Sequence, residues 1–170
     1  MEHTATASGD DYFLKIDGIP GESLDARHAG EIEVEAWAWG EANPPAGGGL
    51  GTGGGSGSGR VQMRDLMFTA RVSKASPKLL LACATGQHAR SAVLSARRPG
   101  AAQRDFLLIT LSDVLVVSYD AATREVGSGI FDRVSLHFAK IAVEYRTQAP
   151  DGSVGTPVTA GWDVVRNQPI

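Results

Sequence analysis

The chain is predicted to be mainly β: a small barrel of two sheets with one short flanking α-helix and a long glycine-rich loop between strands. Three observations carry this. Apolar and polar residues alternate with period two in several short stretches separated by Gly, Pro, Asp and Asn. A single segment, residues 76–86, has helix start and stop signals. Between strand patterns, 13 residues from Gly47 to Gly59 are almost entirely Gly, Ser and Thr. Many strands, one helix and Gly-rich connections fit a barrel or sandwich better than a layered α/β fold.

Residues 1–10 are expected to be a disordered tail, and a single domain is expected over 11–167. Tyr12 to Asp17 reads as a first strand, stopped by Gly18, Pro20 and Gly21. In the next strand Ile32, Val34, Ala36 and Ala38 alternate with Glu33, Glu35, Trp37 and Trp39, which gives one aliphatic face and one that runs from carboxylates to indoles. A bulge between Glu35 and Ala38 would reverse the two faces. Residues 44–60 are expected to be a flexible loop within the domain, because so little apolar surface cannot offset the entropy of ordering it. Val61 to Val72 reads as a further strand with a bulge near Asp65 to Met67.

Ser76-Pro77 is predicted to open the helix, Ser as N-cap and Pro at the first helical position, with Gly86 as the left-handed C-cap. Leu79, Leu80, Leu81, Ala82, Cys83 and Ala84 make this helix apolar almost all round. Such a helix needs packing on several sides, part of it from a neighbouring subunit. Strands are expected at 92–96, 106–119, 134–146 and 158–165, with turns at 98–101, 120–123 and 149–152.

At 170 residues with 42% hydrophobic content, the chain can bury a core of its own. The net charge of −3, with Lys and Arg scattered, argues against nucleic-acid binding. One cysteine, Cys83, rules out an intrachain disulfide and fits a reducing compartment. The start of the chain is polar and acidic, without the pattern of a secretory signal, and the longest apolar run is far too short to span a bilayer. A cytoplasmic protein is expected, with no membrane insertion.

Gly49-Leu-Gly-Thr-Gly-Gly matches a dinucleotide-binding fingerprint in letters only. A strand must precede it and a helix must follow, whereas here Pro44-Pro45 precedes and a strand follows. No cofactor is expected. His3, His28, His88 and His137 show no metal-ligand spacing, and Cys83 has no thiolate partner nearby, so no metal site is expected. His88, just past the helix C-cap, reads as favourable helix-end electrostatics. Among Leu and Ala, Cys83 reads as a small buried hydrophobe. Glu31, Glu33 and Glu35 read as a solvated strand edge, or as a stripe that meets basic residues of a neighbouring copy, Arg27 or Arg64 for example. Trp37, Trp39 and Trp162 read as core or interface anchors. No catalytic residue is assigned.

Three longer segments, in one order along the chain, carry a resemblance. They are Asp11-Tyr-Phe-Leu-Lys-Ile-Asp-Gly-Ile-Pro-Gly-Glu-Ser, Ser73-Lys-Ala-Ser-Pro-Lys-Leu-Leu-Leu-Ala-Cys-Ala-Thr-Gly-Gln-His, and Val134-Ser-Leu-His-Phe-Ala-Lys-Ile-Ala-Val-Glu-Tyr, which leads on to Ala160-Gly-Trp-Asp. Gly30-Glu-Ile-Glu-Val-Glu-Ala-Trp-Ala-Trp-Gly, Asp65-Leu-Met-Phe-Thr and Ile109-Thr-Leu-Ser-Asp-Val-Leu-Val-Val-Ser join them. Together they resemble the haemolysin-coregulated protein (Hcp) family of the type VI secretion system. The resemblance implies a non-enzymatic subunit that forms hexameric rings; the rings stack into a tube whose lumen carries or chaperones effectors. A tail-tube protein of a phage or other contractile injection particle is the alternative. Partners implied are further copies of the chain and the sheath, spike and effector proteins of the machine. Export without a signal peptide, to the extracellular space or a target cell, follows from the same likeness. It places Ala38 at the lumen wall, makes Trp37, Trp39, Leu79, Leu80, Cys83 and Trp162 core or ring anchors, and assigns Gly48, Gly51, Gly54 and Gly57 to an inter-ring loop.

Overall fold

In the computed structural model, residues 9–44, 60–99, 104–123 and 127–170 are described. The expected inter-ring loop, with Gly48, Gly51, Gly54 and Gly57, lies outside them, as does most of the expected N-terminal tail. In chain order the elements are β1 (Asp11–Ile16), β2 (Ile32–Ala38), β3 (Glu41–Ala42), β4 (Gln62–Met63), β5 (Leu66–Arg71), α1 (Ser76–Thr85), β6 (His88–Arg97), β7 (Asp105–Thr123), β8 (Ile130–Tyr145), β9 (Val158–Asp163) and β10 (Gln168–Pro169).

Six antiparallel strands, in the order β5-β2-β1-β6-β7-β8, close into a barrel when β8 pairs back onto β5. Strand β8 manages this by changing partners along its length. Its first half pairs with β5, from Arg71↔Phe131 to Leu66↔Leu136, and its second half pairs with β9, from Lys140↔Asp163 to Tyr145↔Val158. Strand β7 runs beside all of it, from Leu107↔Tyr145 to Thr123↔Ile130. Strands β3 and β4 form a separate small sheet. The single strand expected over 61–72 is therefore two, broken at Arg64-Asp65, because β4 turns away to pair with β3.

The interior is filled by alternate residues of each strand, as the strand period requires. Leu14, Leu66, Leu111, Val114, Val134 and Leu136 are fully buried. From α1, which packs against β7, Leu79 joins them.

Strand β2 shows why one aliphatic face does not persist. Val34 pairs with Ala70, but Ala36 pairs with Thr69, so Glu35 is an extra residue. A bulge of this kind swaps the faces beyond it. Ile32 and Val34 point inward; past the bulge Trp37 points inward beside Phe68, while Ala36 and Ala38 are exposed. Trp37 meets Tyr12 edge to face, with centroids 6.2 Å apart.

Helix α1 ends on Gly86, at φ 67° and ψ 25°, whose N–H bonds to the Ala82 carbonyl. Its start differs from the expectation. Ala75 is the N-cap, and no side chain caps the helix there. The Ser76 hydroxyl instead donates to Asp132, a carboxylate only 1% exposed, and accepts the Ser73 N–H at 2.9 Å. Tyr119 donates to the other oxygen of Asp132 at 2.9 Å, and burial, helped by that carboxylate, raises its pKa. A tertiary acceptor, remote in sequence, has taken the hydroxyl that local rules assign to the cap.

Residues 120–123 are not a turn. They extend β7, with Ala121↔Asp132 and Ala122↔Phe131 paired to β8. The turn at 149–152 is present, with Gly152 at φ 81° and its N–H bonded to Ala149.

Candidate functional site

Outward-facing residues of four adjacent strands line up in two rows across the barrel wall. One row is Ala38–Met67–Ser135–Ser118; the next is Ala36–Thr69–Arg133–Asp120. Together they floor a groove of about 410 Å³. The first row is small and soft, with Met67 54% exposed. The second ends in opposite charges placed directly across from each other on β7 and β8, a favourable cross-strand arrangement. The lining offers hydroxyls, one thioether, one guanidinium and one carboxylate. Among the described residues, no three His, Cys, Asp or Glu side chains are placed to hold a metal ion.

Of the residues singled out from sequence, Ala38 lies in this groove, and Trp37 turns inward behind it. Trp39 and Trp162 pack partly buried against the core, each with its indole N–H buried and unpartnered among the described residues. Leu79 is buried and Cys83 is half-buried against the core. Leu80, by contrast, is 53% exposed and Leu81 57% exposed in the single chain. Met67, Thr69, Ser118, Asp120, Arg133 and Ser135 were not singled out. The alternation of Val134, Leu136 and Phe138 marks the outward positions of β8, but their grouping depends on the register of four strands.

The acidic stripe expected on β2 is divided. Strand β2 lies inside the sheet between β1 and β5, so it is not an edge. Glu31 precedes the strand and faces His28 at 2.8 Å, and Glu35 sits on the bulge near Arg71 of the same chain at 3.3 Å. His88 binds Asp113 at 2.7 Å, so its partner is a carboxylate of β7 rather than the helix end.

A second polar assembly was not legible in the sequence. Residues 17–31 cross the outer face of β1 as a strap. Beneath it, Phe13 stacks on His28, with centroids 4.3 Å apart, and lies 4.9 Å from the Arg97 guanidinium. His28 reaches Glu31 with Nδ1 and Asp105 with Nε2 at 3.1 Å. Arg97, 4% exposed, binds Asp25 at 2.8 Å and Asp11 at 3.2 Å. The Arg97 hydrogen bond, then the Arg27 backbone N–H, lower the Asp25 pKa to about 2. These contacts clasp the strap to β1, β6 and β7.

The class of protein is thus set by a closed antiparallel barrel with one flanking helix and an outer groove across four strands. The sequence profile described as type VI secretion system effector, Hcp, matches residues 13–145. Protein hcp1 of Pseudomonas aeruginosa is 47% identical over 163 residues, covering 92% of this chain and 96% of that protein. Among solved structures, Hcp1 from Salmonella typhimurium is 33% identical with a TM-score of 0.76, covering 96% of this chain and all of that one. A type VI secretion system effector from Yersinia pestis is 30% identical with a TM-score of 0.72, covering 91% of this chain and all of that one. The chain belongs to the Hcp family of type VI secretion proteins.

Proposed function

We propose that this chain is the repeating subunit of a type VI secretion tube. Six copies close a ring, rings stack, and the groove around Ala38 faces the channel, where it touches effector cargo in transit. The two outward rows carry this reading: they are continuous, uncovered and made of small side chains apart from Met67 and the Arg133–Asp120 pair. A wall of small side chains and hydroxyls lets unrelated cargo slide past while still giving it weak contacts. Trp37 and Trp39 hold that wall from behind, and Leu80 belongs to a contact between subunits. The chain is made in the cytoplasm and leaves with the tube, pushed by sheath proteins behind a spike. The loop over 44–60 bridges one ring to the next.

Light scattering and negative-stain imaging of the purified chain test the ring directly. A monodisperse monomer at micromolar concentration ends the proposal. Ala38→Glu leaves the ring intact and blocks cargo retention, whereas Trp37→Ala and Trp39→Ala weaken the fold or the ring. If Ala38→Glu unfolds the protein while both tryptophan variants assemble, the channel assignment is wrong.

A further inference from the structure

Charge is unevenly distributed along this chain. No acidic residue occurs between Asp65 and Asp105, a stretch that holds Arg71, Lys74, Lys78, Arg90, Arg97, Arg98 and Arg104. Some of these are satisfied within the molecule: Arg71 by Glu35, Arg90 by Asp17, Arg97 by Asp11 and Asp25. Lys74 and Lys78, at the start of α1, have no ion-pair partner among the described residues, and both are exposed. Beside them on α1 stand Leu80 and Leu81, each more than half exposed. Helix α1 thus presents an apolar pair next to two free ammonium groups. A surface of this composition fits a complementary protein patch better than bulk water.

The complement lies on the same chain. Between the start of β1, the strap and β2 runs a groove of about 730 Å³. Leu24, at its rim, is 95% exposed. Asp10 and Glu33 line it, also without ion-pair partners among the described residues. Here the apolar element is a single leucine and the free charges are carboxylates. Each surface supplies what the other lacks.

We infer that α1 of one subunit docks into the acidic strap groove of a second copy, Leu80 and Leu81 meeting Leu24 while Lys74 and Lys78 face Asp10 and Glu33. This rests on the ring proposed above and names the surfaces that join it. Because two different patches meet, the contact is heterologous, the type that generates rings when the rotation closes. The apolar centre supplies the burial, and the peripheral charges set orientation and reject wrong pairings. The rows around Ala38 take no part in the contact, so the channel-facing groove stays free.

The test reverses charge on each surface of the full chain and follows mass by size exclusion with light scattering, with circular dichroism as the check on folding. K74E/K78E in one variant and D10K/E33K in another should each raise the concentration at which rings dissociate by roughly tenfold or more, about 1.4 kcal/mol. Mixing the two variants should restore rings, because the acidic helix of one then meets the basic groove of the other, alternating around an even-numbered ring. All four changes in one chain should also restore assembly. Folded variants that assemble like the parent overturn the inference while leaving the tube proposal standing. So does a mixture that stays dissociated when both variants are folded. A parent protein that is itself monomeric overturns both.

Discussion

Asp132 ties helix α1 to the barrel, and removing it has a calculable cost. It is 1% exposed and accepts two hydroxyl hydrogen bonds, one from Tyr119 on β7 and one from Ser76 at the start of α1. Each bond to a charged acceptor is worth about 1.5–3 kcal/mol, and each hydroxyl left buried without a partner costs about 1–3 kcal/mol. Against this stands the desolvation of a buried carboxylate, several kcal/mol, which Asp132→Ala relieves. The losses exceed the relief, so Asp132→Ala should destabilise by about 3 kcal/mol, a melting shift of about 6–12 °C for a domain of this size. Asp132→Asn keeps the shape and one acceptor oxygen, and should lose about half as much. The assay is thermal and urea unfolding at one fixed protein concentration, because assembly itself adds apparent stability. A double-mutant cycle with Tyr119→Phe should give a coupling of about 1 kcal/mol. An unchanged or raised melting temperature for Asp132→Ala would show that desolvation dominates and that apolar packing, led by Leu79, holds the helix.

Leu79→Ala should cost about 2–5 kcal/mol in urea unfolding, because Leu79 is fully buried. Leu80→Ala should change fold stability by less than about 0.5 kcal/mol and show its effect only as a lower assembled mass by light scattering. Acid titration monitored by fluorescence should reveal the strap. The Asp25 pKa, lowered to about 2 in the folded chain, makes its ionised form stabilising above the unfolded carboxylate pKa. That contribution is therefore lost as pH falls from about 4 to about 2, and Asp25→Asn should flatten that part of the profile. Gly21→Ala should loosen the strap at neutral pH, since a Cβ there overlaps the Glu31 carbonyl; hydrogen exchange at Ser23 and Gly30 reports it. An overlap of this kind costs about 1–3 kcal/mol.

How far the sequence is legible depends on the range of the interaction that decides each feature. Gly86 was readable because a left-handed cap is a local backbone requirement. The barrel strands were readable because Leu14, Leu66, Leu111 and Leu136 recur with period two beside polar neighbours. Ser76 misled because its hydroxyl answers to Asp132, 56 residues away. Residues 120–123 look like a turn in isolation, but β8 continues beside them and holds them extended. The bulge at Glu35 could be named as a possibility, yet which face Ala38 takes depends on where Thr69 pairs. The strap was the least legible element. Its glycines and proline mark only an interruption, and nothing local says that Asp25 and His28 will reach β6 and β7.

The way the barrel closes also sets the order in which the chain can fold. Strand β5 ends at Arg71, but its second neighbour, β8, begins only at Ile130. While the protein is being synthesised, β1, β2 and β5 emerge with two bare strand edges; β6 soon covers β1, but the edge of β5 stays bare until the loop between β5 and β8 closes. Pairings so distant in sequence form late and slowly. Until about the last quarter of the chain has left the ribosome, the nascent protein exposes β5 as a template for misassembly with other chains. A cell that produces this subunit in quantity thus carries its greatest aggregation hazard in half-made chains, and slowing translation just before Ile130 would lengthen that exposure.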